Sequence, residues 1–138
     1  MIRKATKNDI FAINKLGSKL HANFIKTYHI ETEIDNDLAI VLVAEEKNEI
    51  VGYLYAQNFV DNIDLLSIYI DEEYRLKQYG YNLICKLQSL YNNKTITLEV
   101  SNSNTKALNL YEKCGFKRIA IRKKYYQNSD AIIMKWGI

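Results

Sequence analysis

A glutamate in a β-patterned run, Glu99, and a tyrosine in the helical run that follows, Tyr111, are the side chains with the clearest chemical potential in this chain. A carboxylate can take a proton from a nucleophile and a phenol can give one to a leaving group. The pair therefore suits a reaction that removes one proton and delivers another. Over residues 95–100 the alternation puts Ile96, Leu98 and Val100 on one face and Thr95, Thr97 and Glu99 on the other. Asn102, Ser103 and Asn104 offer N-cap chemistry to a helix running to about Cys114, and Gly115 suits its left-handed C-terminal cap. Tyr111 follows Asn104 by two helical turns, so the two share a face. Spacing alone favours plainer roles, a solvated strand residue for Glu99 and a core aromatic for Tyr111.

The elements that must position this pair can be read along the chain. Residues 9–21 carry Ile10, Ile13, Leu16 or Gly17, and Leu20 on one face, the pattern of an amphipathic helix after a short first strand. Residues 23–37 mix aromatic, polar and charged side chains and are read as a short second helix. Residues 39–45 and 50–58 are apolar and β-rich, and Glu46-Lys47-Asn48-Glu49 between them makes a hairpin turn. Asp61-Asn62 turns into a strand over 63–71. Residues 82–91 place Leu83, Ile84, Leu87, Leu90 and Tyr91 on a helical stripe, and strands over 116–122 and 131–136 close the chain. The order β-α-α-β-β-β-α-β-α-β-β predicts an α/β (α+β) fold, a mixed sheet of six to seven strands flanked by about four helices.

Composition excludes several classes. The 138 residues make one domain, 1–138, with no linker or repeat, long enough for a real core. No apolar run approaches the roughly 18 residues of a membrane span, and Met1-Ile2-Arg3-Lys4 leads into no signal-peptide core. Two cysteines, Cys85 and Cys114, fit a reducing cytoplasm better than a disulfide framework, and Cys114 has no histidine suited to activating it. His21 and His29 lack partners at metal-ligand spacing. A net charge of +3 is too small to argue for nucleic acid, and the basic stretch Arg118, Arg122, Lys123 and Lys124 reads as a solvated strand end.

Leu98-Glu99-Val100, Ser103-Asn104-x-x-Ala107, Leu110-Tyr111, Gly115-Phe116, Arg122, Tyr125-Tyr126 and Asp130-Ala131-x-x-Met134 follow one another in an order and spacing that resemble the GNAT superfamily of acetyl-CoA-dependent N-acetyltransferases. The branch they resemble is that of the ribosomal-protein-alanine and peptide N-terminal acetyltransferases. A weaker match covers residues 68–84, and Ile2-Arg3-x-Ala5-x-x-x-Asp9 resembles the family's opening; residues 20–38 match poorly. The resemblance implies acetyl-CoA as co-substrate, Glu99 as general base and Tyr111 as general acid. It implies a pyrophosphate loop at Arg75-Leu76-Lys77-Gln78-Tyr79-Gly80-Tyr81, between a strand and a helix, where backbone N–H groups and the helix dipole favour an anion. Arg75 and Gly80 keep the family pattern, whereas Gln78 replaces its first glycine. Ile68, Tyr69 and Ile70 would pair with the pantetheine arm through their backbone, and Asn104 would contact it.

The same resemblance places Tyr125 and Tyr126 along a peptide groove and makes the acceptor a primary amine, a protein N-terminus or a small molecule such as a polyamine, amino acid or antibiotic. A module that binds acetyl-CoA without turnover is the alternative from another class, motivated by Gln78. No membrane or nucleic-acid partner is expected, and the protein is expected to act as a monomer or homodimer.

Overall fold

Among the described residues, continuous apolar runs in two adjacent strands and alternating ones in others give seven strands, hydrogen-bonded in one sheet of order β1-β2-β3-β4-β5-β7-β6. The strands are β1 (Ile2–Lys4), β2 (Ala39–Glu46), β3 (Glu49–Asn58), β4 (Asn62–Ile70), β5 (Thr95–Ser101), β6 (Lys117–Tyr126) and β7 (Ser129–Trp136). The helices are α1 (Ile10–Leu20), α2 (Phe24–Tyr28), α3 (Ile30–Glu33), α4 (Tyr79–Leu90) and α5 (Thr105–Lys113). The computed structural model describes every residue except Gln127 and Ile138, and the side chain of Tyr126 also lies outside the described residues.

Each face of the sheet buries its own core. On one side Leu83, Ile84 and Leu87 of α4 and Leu108 and Tyr111 of α5 pack on Leu42, Leu54, Ile63, Ile96 and Leu98. On the other, Ile13 and Leu16 of α1, Phe24 of α2 and Ile30 of α3 cover Val41, Val43, Tyr53 and Tyr55. Two such layers on one sheet bury enough apolar surface to dominate folding. The β2–β3 turn puts Lys47 (φ 51°) and Asn48 (φ 67°) in left-handed backbone, the geometry that matches strand twist in a two-residue hairpin. At the N-terminus, Arg3 donates from both terminal nitrogens to the Asp9 carboxylate at 2.8 and 3.0 Å and from Nε to Glu45 at 2.9 Å, tying β1 to α1 and β2.

Among the described residues the sheet has one parallel contact, and it is short. β4 and β5 pair only at Asn62–Thr95, Ile63–Ile96 and Asp64–Thr97, although both run on for several residues. Just beyond the last pair β4 carries an extra residue. Tyr55 faces Ser67 and Ala56 faces Leu65, which leaves Leu66 without a partner on β3. A bulge bends a strand and increases its twist, which turns β4 away from β5. It also exchanges the faces: Ile63 and Leu65 before it, and Ile68 and Ile70 after it, all meet the α4–α5 core, whereas Leu66 and Tyr69 meet the other.

Several details differ from the sequence reading, among them the exposure of Leu90 on α4 and the extension of β6 to Tyr126. Residues 23–37 form two short helices, broken at His29 in left-handed backbone (φ 51°). Leu20 is exposed at the end of α1, because the helix buries only Ile13, Leu16 and Gly17. Finally, α4 begins at Tyr79 rather than near residue 82, so the final residues of the expected loop are its first turn.

Candidate active site

Where β4 and β5 part, a cleft of about 870 Å³ opens through the sheet. Its walls are the separated ends of β4 and β5, the start of α4 and one face of α5. Tyr28 and the end of α1 border its far side.

The β4 wall has a bare edge. Asp71 N–H donates to Val51 O at 2.8 Å, which fixes the phase of the antiparallel β3–β4 ladder. By that phase Ser67 and Tyr69 turn their backbone groups to β3, and Ile68 and Ile70 turn theirs to the cleft. Arg75 Nε donates to Ile70 O at 3.0 Å, with its guanidinium 5.1 Å from the centre of the Tyr69 ring. Tyr28 Oη donates to Leu66 O at 3.4 Å. Ile68 lies between those two capped carbonyls, where an extended amide-bearing chain could pair like a strand. Of the three residues expected here, Tyr69 is the exception, since its backbone belongs to the β3 ladder.

At the cleft's upper end a 3₁₀ turn, Glu72–Lys77, leads into α4. Gln78 is its hinge, with φ 64° and ψ 23°. That is left-handed backbone, so the glutamine already holds the conformation a glycine would take there. The N–H groups of Tyr79, Gly80 and Tyr81 precede the first intrahelical bond, from Asn82 N to Gln78 O, and remain available to an anion. Gly80 brings α4 against α5, since a Cβ there would sit 3.3 Å from Leu110 Cδ2. Arg75, Leu76, Gln78, Gly80 and Tyr81 line the cleft. Lys77 and Tyr79 do not: Lys77 Nζ donates to Glu46 at 2.9 Å, away from the opening, and Tyr79 packs into the core.

The opposite wall holds the two side chains expected to move protons. Asn104 caps α5, its Oδ1 accepting from Ala107 N at 3.2 Å, and lines the cleft together with Tyr111 two turns on. Tyr111 is buried, its ring 5.9 Å from that of Phe116, so its ring direction is fixed by packing. Glu99 projects from the outer face of β5, and its Oε1 meets Arg122 at 2.9 Å. Arg122 in turn lies 4.8 Å from the centre of the Tyr125 ring. Tyr125 is half exposed beside this ion pair and outside the cleft lining. Cys114 is buried at the end of α5, its thiol pushed up to about 12 chiefly by burial, which suits packing rather than nucleophilic chemistry.

Two residues escaped the sequence reading. Tyr28 sits in the region whose pattern was ambiguous, and burial, then the charge of Asp64, raises its phenol above the ordinary value. Asp64 itself was hidden by the bulge, because no periodicity shows which face a charged residue in residues 63–71 takes.

The sequence pattern described as the Acetyltransferase (GNAT) family matches residues 9–116. The N-alpha-acetyltransferase of Saccharolobus solfataricus is 32% identical to this chain, over 96% of the chain and 90% of that protein. The N-alpha-acetyltransferase of Sulfurisphaera tokodaii is 29% identical over the same shares. Among solved structures, the ribosomal-protein-S18-alanine N-acetyltransferase from Escherichia coli matches with a TM-score of 0.86 at 25% identity, covering 98% of this chain and 91% of that one.

Proposed function

Because the chain belongs to the GNAT acetyltransferase family, we propose that this cleft moves an acetyl group from acetyl-CoA to a primary amine, and that the amine is a protein N-terminus. The observation that carries the proposal is the parting of β4 from β5. It brings a bare strand edge at Ile68, the free N–H groups of α4, Glu99 and Tyr111 to one opening. The relatives named for N-terminal acetylation support the choice of acceptor.

Acetyl-CoA supplies the acetyl group already activated as a thioester. The residues present fit its parts: Tyr79, Gly80 and Tyr81 offer N–H groups to the pyrophosphate with Arg75 nearby, and Ile68 and Asn104 offer amide partners to the arm. Glu99 faces the side of the sheet opposite α4 and α5, from which an acceptor can reach the gap. An amine of pKa about 8 to 10 is mostly protonated at pH 7, and Glu99 takes its surplus proton. Tyr111 delivers a proton to the departing sulfur. Arg122 orients the Glu99 carboxylate, and the two free thiols, Cys85 and Cys114, are compatible with a cytoplasmic enzyme.

Calorimetry with acetyl-CoA, followed by mass spectrometry of an alanine-first peptide incubated with both, tests this reading. Saturable binding and a gain of one acetyl group at the peptide's α-amine are expected; no binding at millimolar acetyl-CoA would remove its foundation. Two substitutions sharpen the test. Gly80→Val should weaken acetyl-CoA binding about tenfold or more, because the branched side chain meets Leu110 and crowds the N–H groups that an anion needs. Gln78→Gly should leave affinity within about twofold and raise stability by about 0.5–1 kcal/mol, since the left-handed backbone is already in place and glycine relieves it. A large gain in affinity would mean that the glutamine obstructs the loop.

A further inference from the structure

Asp64 is a carboxylate that the acetyl-transfer scheme leaves without a role. It occupies the last β4–β5 pair before the strands part, opposite Thr97. Glu99 follows Thr97 by two residues and so shares its face, the polar face that also carries Asp64. The side chain is half-buried. Among the described residues it takes part in no ion pair, whereas Glu99 is held by Arg122. Its carboxyl is raised above the ordinary value, first by burial and then by the charge of Glu99. Ionising such a group at neutral pH costs folding free energy. Asp64 itself stands just outside the cleft lining, next to Leu65, which belongs to it, on the face from which the acceptor nitrogen reaches the acetyl group carrying the opposite charge.

We propose that Asp64 is an acceptor-binding residue, which holds the incoming primary amine as its ammonium beside Glu99 and thereby selects cationic amines without an adjacent carboxylate. The inference rests on the acetyl-transfer reading. In the step it serves, one ammonium N–H bond breaks, its electron pair stays on nitrogen, and the proton passes to Glu99. That pair then forms the N–C bond while the C–S bond breaks. The sulfur receives the Tyr111 proton, and the remaining surplus proton on the now cationic nitrogen passes to the Tyr111 phenolate, which leaves a neutral amide and a restored phenol. Asp64 makes and breaks no covalent bond. The selected class includes peptide N-termini, where the neighbouring carbonyl is neutral. Free α-amino acids are disfavoured, because their carboxylate would lie next to Asp64.

The test measures steady-state kinetics on the most reactive amine among alanine-, serine- and methionine-first peptides and spermidine. Asp64→Asn should raise KM for that amine about 10- to 100-fold, the loss of a charged hydrogen bond. Its kcat and its KM for acetyl-CoA should stay within about threefold, and Asp64→Glu should recover part of the loss. The asparagine variant should melt no lower than wild type, since it removes an uncompensated half-buried charge. Wild type needs no substitution for a second check: alaninamide should be favoured over free alanine by about tenfold or more in kcat/KM. An active wild type with an unchanged amine KM in Asp64→Asn, or with equal use of alanine and its amide, overturns the assignment of Asp64 alone. A wild type that acetylates no amine overturns the acetyl-transfer reading itself.

Discussion

Glu99→Gln should lower acetyl transfer about 10²–10⁴-fold at pH 7, the usual loss when a general base is removed. The amide keeps the volume and one acceptor oxygen but cannot take the amine's proton. The fold should survive, because Glu99 stands on the outer face of β5 and its bond to Arg122 is a partly exposed ion pair. Such pairs contribute about 0–1 kcal/mol. Acetyl-CoA binding should also survive, since the bare edge at Ile68 and the N–H groups of α4 lie on other elements. Stopped-flow or thiol-release rates, with calorimetry as the control, check both expectations. A rate within about twofold of wild type would make Glu99 a solvated strand residue and nothing more.

Tyr111→Phe should slow turnover roughly 10²-fold or more, in kcat, with KM for acetyl-CoA nearly constant. The ring remains packed near Phe116 in the α4–α5 core, so the substitution removes the hydroxyl and leaves the ring. Melting should shift by no more than about 1 kcal/mol equivalent, the worth of one hydrogen bond. A variant that melts far earlier while keeping its kcat would assign the hydroxyl to structure, and thiolate release would then need no acid from this chain.

The positions of these two residues were legible because short-range patterns control them. Alternation over residues 95–100 put Glu99 opposite the buried Ile96, Leu98 and Val100, as the burial of those three residues bears out. The capping chemistry of Asn104 and the left-handed Gly115 (φ 93°) bound α5 and fixed the phase of Tyr111. The cleft was not legible, because it depends on a bulge. One extra residue at Leu66 reverses which side chains face each core and parts two strands, and its signature is a register between strands rather than a local pattern.

The same limit explains the other differences. Backbone pairing decides that Ile68 and Ile70, and not Tyr69, turn their N–H and C=O groups to the opening, although all three residues line it, and side-chain identity carries no trace of it. Gln78 read as a departure from the glycine pattern, yet the chain accepts the left-handed turn there with a glutamine, as it does at His29 and Lys47. Lys77 belongs to the expected pyrophosphate loop. Glu46, from a hairpin thirty-one residues earlier, holds it on the other side. Tyr126, expected along the peptide groove, has a side chain outside the described residues.

Thiol release from acetyl-CoA, followed with and without a panel of alanine-, serine- and methionine-first peptides, spermidine and free amino acids, tests the central claim most directly. The arrangement of Glu99, Tyr111 and the β4–β5 cleft predicts that CoA thiol appears only when a primary amine is present, in a one-to-one ratio with acetylated amine. Tight acetyl-CoA binding with no amine-dependent thiol release across the panel would contradict it and leave a binding module in place of an enzyme.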